Sequence, residues 1–478
     1  MIETSTITPK QRRRLAHLPV LAGIGFAAAV TSSAAQASTY QVFTNTAASS
    51  MTVNAGDGVC SLAEALLHVN GKNGSTNYCT PVSIGGEHRI ELLQSAGKSY
   101  SANHFKITSL TITSSTRVSI AGFGGAFIDS TGLTSTGFSA FVIGVKGGLP
   151  TQAAAFFERV TLTNTAGTAG GRLIENYGTL QLYGVTIKSG NVTGSQHSSG
   201  RGGGIYNAGN ITFAEGFLIT ENAARYGGGL YNDASGVILE LFGTIHKNRA
   251  SKAGGGIFNA VSGTSGGIIK PEIGPIVGLH VTFNTAPTGG GIFNRAVIEL
   301  SESSVTDNKA LTTGSGEMCS GTSCDGSGGG VLSVHVSNSA VATRFNLMAG
   351  SDFSRNQASV RGGAVSSAGF LELSNLTIND NTAPAGAAIY VVSPTDGSGE
   401  YCNVTGADAA NLGPTQINNN KNGGVSNPGF SIVDGGVVNS SYRCTMTGAL
   451  TPEMTATGND SPVCNRSVIL AGHDCPQP

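Results

Sequence analysis

The feature that most constrains this chain is a glycine-rich string that returns at a near-constant interval. GGGIYN ends at Asn207, GGGLYN at Asn232, and GGGIFN at both Asn259 and Asn294. Weaker copies follow as GGGVLS from Gly328, GGAVSS from Gly362 and AGAAIY from Ala385. A second marker sits upstream of most copies: ITENAA around Asn222, IHKNRA around Asn248, VTFNTA around Asn284, VTDNKA around Asn308, FSRNQA around Asn356 and INDNTA around Asn381. Self-similarity at roughly 25 residues marks a repeat architecture in which each unit is one supersecondary piece. A unit this small cannot bury its apolar face alone, so it must stack on copies of itself.

The stretch from Gly202 to Ala224 shows how one unit is built. Its glycines turn the chain where a side chain would collide or φ must be positive. Short runs of branched and aromatic residues follow: Ile205-Tyr206, Ile211-Thr212-Phe213 and Phe217-Leu218-Ile219-Thr220. Each is too short for a helix and reads as a strand. Strands joined head to tail in this way predict an all-β fold, a parallel β-helix. With ~4.8 Å between coils, residues 105–395 should make roughly a dozen coils and a rod on the order of 50–60 Å. Asn207, Asn232, Asn259 and Asn294 occupy the same place in each string. They are expected to stack at one corner as an amide ladder bonded to backbone turns. The competing reading lines a ligand groove with them.

Composition bounds the alternatives. Glycine numbers 70 in 478 residues without a three-residue period, which points to many turns and away from collagen. A hydrophobic content of 39% is too high for a disordered chain. A formal net charge of −1 with no basic stripe gives no footprint for nucleic acid. Tryptophan is absent and aromatics are 6%, which weakens the case for an aromatic platform gripping sugars or bases.

The amino terminus reads as an export signal over residues 1–37. Arg12, Arg13 and Arg14 precede the apolar run Leu18 to Val30, and Ala35-Gln36-Ala37 is a small-x-small cleavage site. The run is shorter than the ~20 residues a membrane span needs, and no second span follows. The expected location is therefore secreted, periplasmic or at the outer cell surface. All of Cys60, Cys79, Cys319, Cys324, Cys402, Cys444, Cys464 and Cys475 lie beyond the cleavage point, and an even count in an exported chain predicts disulfides. Proximity suggests Cys60 with Cys79, Cys319 with Cys324, and two bridges among the last four. No pair has C-x-x-C spacing, so zinc is not expected.

Residues 60–70, CSLAEALLHVN, carry a different pattern. Ser61 and Glu64 make a capping box, and Leu62, Ala65, Leu66 and Val69 share one helical face. A short helix here would cap the open end of the solenoid within a region spanning 38–104. The segment resembles the motif of the CSLREA-domain proteins, exported bacterial chains that carry it ahead of a right-handed β-helix. Cys60, Ser61, Leu62, Glu64 and Ala65 match, while Ala63 stands where that family has Arg. The coils are similar to the repeats of the polymorphic outer-membrane protein family, adhesive autotransporters that pair F-x-x-N with a GGA-I box. Phe353 to Asn356 followed by Gly362-Gly363-Ala364-Val365 is the best match. Right-handed winding is what the resemblance implies, and the general bias of parallel crossovers agrees. The tail, residues 396–478, shows no series of ten-residue alternating strands such as an autotransporter barrel requires. It reads as a disulfide-tied region.

Parallel β-helices also host polysaccharide lyases and glycoside hydrolases, which need converging carboxylates or a calcium-binding acid cluster. The acids of the coils are single and displaced. Glu221, Asp307 and Asp380 alone share an edge, just before the marker Asn, which leaves calcium possible but unsupported. No catalytic or cofactor-binding residue is assigned. Arg201, Arg225 and Arg361 approach the glycine strings and read as solvated turn residues. Two insertions, Gly263 to Gly278 and Gly314 to Gly330, would project as loops. The expectation is an adhesin-like, non-catalytic binding scaffold facing an extracellular polysaccharide or a cell-surface partner. A divergent lyase or hydrolase of the same fold is the alternative.

Overall fold

The computed structural model describes residues 38–43, 60–71, 79, 81 and 87–93, then 105–391 with short gaps, and the pieces 402–405, 416–418, 420–421, 444–447 and 468–470. The export segment, Cys464 and Cys475 lie outside them. Gln36–Pro478 form one compact unit. It is a stack of parallel β coils, consistent with a solenoid, in which three sheets share the strands of each turn.

The most regular sheet has ten strands, running from Leu110–Ile112 through Ile205–Asn207, Leu230–Asn232, Ile257–Asn259 and Ile292–Asn294 to Ile389–Val391. Register never slips along the glycine strings: Ile205 faces Leu230, Tyr206 faces Tyr231 and Asn207 faces Asn232, and the same holds at the next two pairs. A five-stranded sheet joins Ala223–Tyr226, Arg249–Ala253, Thr285–Ala286, Lys309–Ala310 and Gln357–Ala358. The largest sheet has 20 strands and begins at Ser38–Phe43, which pairs in parallel with His88–Leu93. Parallel pairing therefore starts upstream of residue 105. It also extends past 395, where Cys402–Thr405 pairs with Cys444–Thr447 and that strand with Val468–Leu470.

One detail of the repeat unit differs from the sequence reading. Ile211–Phe213 and Phe217–Thr220 belong to a single strand, Asn210–Thr220, and the third sheet is built instead by Ala223–Tyr226. The cause is local. Gly216 at φ 61° bends the strand through a bulge without ending its pairing, whereas Glu221 at φ 57° turns the chain before Asn222.

Alternation along the strands separates two apolar regions. Ile205, Leu230, Ile257 and Ile292 enter the main core, and Ile257 is 1% exposed. Tyr206, Tyr231, Phe258 and Phe293 point to the other side and form a second cluster. The glycine string serves both turn and stacking. Gly202 has φ 64°, and a Cβ on Gly203 or Gly204 would stand 2.5 or 2.7 Å from a carbonyl oxygen of the next coil. Only glycine lets the coils approach this closely.

The helix over Leu62–Val69 packs against Ser38–Phe43, His88–Leu93 and Leu110–Ile112. Leu62, Ala65, Leu66 and Val69 join the main core. Its amino end is closed by a reciprocal pair: Glu64 N–H donates to Ser61 Oγ at 3.2 Å, and Ser61 N–H donates to Glu64 Oε2 at 2.9 Å. A disulfide joins Cys60 to Cys79 beside it. No helix among the described residues is long and apolar enough to cross a membrane.

Candidate functional site

The repeated asparagines stand in two columns. In the first, each Nδ2 donates to the Oδ1 of the next coil: Asn176 to Asn207 at 2.7 Å, Asn207 to Asn232 at 2.8 Å, Asn232 to Asn259 at 2.9 Å and Asn259 to Asn294 at 3.0 Å. Turn carbonyls accept the second amide proton, as Gly236 O does from Asn232 and Gly267 O from Asn259. The column closes where Asn294 donates to Ser333 Oγ. All these asparagines are fully buried, so they line no groove.

The second column runs Asn222, Asn248, Asn284, Asn308, Asn356, Asn381, Asn420, again Nδ2 to Oδ1, at 2.8 to 3.1 Å. Here each Oδ1 also accepts the backbone N–H of the preceding asparagine, as Asn308 Oδ1 does from Asn284 at 2.9 Å. Buried amides in both columns meet the demand that interior polar groups be bonded.

Just outside the second column lies the edge that carries the shared acids. Glu221, Lys247, Phe283, Asp307, Arg355 and Asp380 each precede a marker Asn and hold φ between 52° and 60°. The acids are interleaved with cations. Arg355 clamps Asp307 through two bonds of 2.9 Å, and this bond with Asp307 holds the guanidinium pKa above its ordinary value. Calcium requires six to eight oxygen ligands, and a carboxylate already taken by Arg355 is a poor start. Among the described residues no group of three or more metal-ligating side chains is placed to hold an ion.

The outward side of the ten-stranded sheet holds the densest chemistry. Tyr206, Tyr231, Phe258 and Phe293 stack ring on ring, with centroids 5.7, 4.9 and 4.8 Å apart. The arginines expected to be merely solvated each approach an aromatic ring, Arg225 that of Tyr226 at 5.9 Å. Arg201 lies 5.1 Å from the Tyr231 centroid and Arg361 5.2 Å from that of Tyr390, joined by Arg172 over Tyr206 and Arg295 over Phe293. Sequence reading passed over this stack, although the aromatic just before each string Asn was its visible trace. Its rings are at most 8% exposed, so they form an outer seam of packing and offer no open platform.

Two carboxylates flank Tyr206. Glu175 accepts from Ser139 Oγ and Tyr177 Oη and pairs with Arg172 at 3.3 Å. Asp233 pairs with Arg201 at 3.5 Å and, after burial, helps raise the Tyr206 phenol. Burial pushes the Tyr206 phenol up to about 12, and burial together with Glu175 pushes Tyr177 higher still. Both hydroxyls stay protonated, and that of Tyr177 donates to Glu175.

On the 20-stranded sheet, Arg89 bridges Glu91 and Glu158 at 3.2 Å each, and Arg117 pairs with Glu87 at 2.8 Å. Of the remaining cysteines, Cys324 is buried and disulfide-bonded. Cys319 lies in a two-stranded antiparallel ladder with Thr322, and Cys402 and Cys444 are register partners on adjacent strands. Compared with known proteins, the sequence matches no family model, and neither a curated protein nor a solved structure aligns with it significantly.

Proposed function

We propose that this chain is an exported, right-handed β-helix of the CSLREA-domain kind that works as a non-catalytic scaffold, binding an extracellular polysaccharide or a cell-surface partner. Export rests on the Arg12–Arg14 segment with its apolar run and on disulfide use after it. Right-handed winding rests on the rule for parallel crossovers. One observation carries the non-catalytic reading: four carboxylates, spread over the sheet faces and the coil edge, are each engaged by arginine. Glu158 is held by Arg89, Glu175 by Arg172, Asp233 by Arg201 and Asp307 by Arg355. Hydrolysis across a sugar needs a carboxyl group able to give up a proton and a second able to attack or activate water. Acids neutralised in place serve neither task well.

The alternative, a divergent lyase or hydrolase, draws on Glu175 and Asp233 standing on either side of Tyr206 with two arginines at hand. The two readings part on one experiment. The mature protein is incubated with acidic and neutral polysaccharides, with and without calcium. The scaffold reading expects no new reducing ends and no unsaturated products. Release of either, abolished by Glu175→Gln, would establish the enzyme.

A further inference from the structure

The corner of the 20-stranded sheet near its amino-terminal end breaks the usual pattern of an outer β-helix surface. Strand register sets Glu158 beside Tyr183, Tyr183 beside Glu215, and Glu215 beside Phe242. One coil earlier, Phe123 falls in the bulge between the Ala121–Glu158 and Ala126–Val160 pairs. Successive coils thus present aromatic, acid, aromatic, acid, aromatic. The rings are exposed: Phe123 43%, Tyr183 36% and Phe242 39%. That sets them apart from the outer seam, where stacked rings are shut away from water.

Each ring is braced from one side. The Arg89 guanidinium lies 5.9 Å from the Phe123 centroid and that of Arg159 lies 5.6 Å from Tyr183. Phe242 rests on Gly278, where an added Cβ would stand 2.3 Å from the ring. Bracing removes rotamer freedom in advance, which lowers the cost of binding. Neighbouring strands are ~4.8 Å apart, so rings two coils apart recur at about 10 Å, the scale of a disaccharide. A sugar ring offers an apolar C–H face to an aromatic ring and hydroxyls to a carboxylate. Alternating ring and acid at this interval fits a linear polysaccharide running along the solenoid axis.

Charge selects the kind of polymer. Arg89 and Arg117 are paired with Glu91, Glu158 and Glu87, Arg159 stands 3.9 Å from Glu158, and Glu215 is an exposed additional acid. A polyanion would meet no net positive field here. We propose that Phe123, Tyr183 and Phe242, with Glu158 and Glu215 between them, form the contact surface for an uncharged polysaccharide. The proposal rests on the scaffold reading and gives it a place and a ligand class.

Affinity electrophoresis tests it with hydroxyethyl cellulose, polygalacturonate and no polymer in parallel gels. The parent should be retarded by the uncharged polymer alone. Tyr183→Ala/Phe242→Ala should weaken retardation at least tenfold, and Glu215→Gln less. Phe283→Ala, which removes a 51% exposed ring from a different corner, should leave it unchanged. Circular dichroism on each variant verifies that the coils persist. Equal retardation of parent and double variant would overturn the column while leaving a scaffold that binds elsewhere. Retardation by polygalacturonate alone, or by neither polymer, would overturn the ligand class. Release of reducing ends would instead remove the scaffold reading itself.

Discussion

The two asparagine columns use the same residue in the same protein and differ in what they hold. In the glycine-string column each amide links mainly to its neighbours' side chains and to a turn carbonyl, as Asn259 does with Asn294 and Gly267. In the marker column each asparagine oxygen accepts both an amide and a backbone N–H, as Asn308 Oδ1 does from Asn284. The first column ties coils to one another. The second also satisfies the peptide group at the turn that launches the five-stranded sheet. Only there does the turn hold a non-glycine residue at positive φ in one coil after another, from Glu221 to Asp380. Left-handed backbone costs such residues roughly 1–2 kcal/mol, so this corner needs the stronger bonding.

The largest expected effect comes from removing the core both columns share. Ile257→Asp would place a charge among residues such as Leu230 and Ile292, at a site 1% exposed. A lone buried carboxylate is costly enough that it shifts its pKa or unfolds its surroundings. Proteolysis and amide exchange should show adjacent coils opening on both columns together. If only the glycine-string side opens, the two columns do not share one cooperative unit.

Next comes a direct test of the difference. Asn308→Ala deletes the acceptor for the buried Asn284 N–H as well as two amide links. Asn259→Ala deletes two amide links and the bonds to the Gly267 and Val297 carbonyls but leaves no backbone N–H without its acceptor, and Asn232 keeps Gly236 O as an acceptor. An unsatisfied buried donor costs about 1–3 kcal/mol beyond the lost bonds. Urea unfolding should therefore place Asn308→Ala about 3–5 kcal/mol below the parent and Asn259→Ala about 2–3 kcal/mol below it. Equal losses would erase the distinction between the columns.

How far this was readable from sequence depends on the kind of signal. Ile257, Asn259 and their counterparts recur at one offset, because stacking imposes one environment on every coil, and periodicity reports that directly. Ser61 and Glu64 are local, three residues apart, and a capping box is legible wherever it occurs. The merged strand Asn210–Thr220 was not legible, since a glycine in a strand can end it or only bend it. The partners of Arg172 and Arg201 depend on which coil lies above which, and the string-to-string register was needed to bring them over Tyr206 and Tyr231. The column of Phe123, Tyr183 and Phe242 has no repeat offset at all. It arises only when bulges and insertions are folded into register.

Acid should weaken two places, the marker side and the capping-helix end. Burial, then the nearby Lys247, lowers the His246 pKa below the ordinary 6.5, and His246 bonds Thr282 Oγ1 two residues before Asn248. Burial and then His68 lower His88 in the same direction near the capping helix. With folded values depressed, both rings stay neutral while the unfolded chain takes up protons. Stability from these groups is fully present above pH ~6.5 and declines as pH falls through that value toward the folded pKa. Urea midpoints at pH 7.5 and 5.0 should show a loss in the parent that His246→Gln reduces. No reduction would mean the marker corner tolerates an imidazolium.

The smallest effect is expected where the first column stops. Ser333 stands in register with Asn294 and is fully buried, but its hydroxyl meets Asn294 Nδ2 at 3.2 Å and passes no amide onward. Asn294 Nδ2 has other acceptors in Ala296 O and Arg344 O. Ser333→Ala should therefore cost no more than about 1 kcal/mol, the net worth of one neutral hydrogen bond. That is well below the loss for Asn259→Ala inside the run, read by the same urea titration. A cost as large as that of Asn259→Ala would mean that the terminal hydroxyl carries the column's continuity.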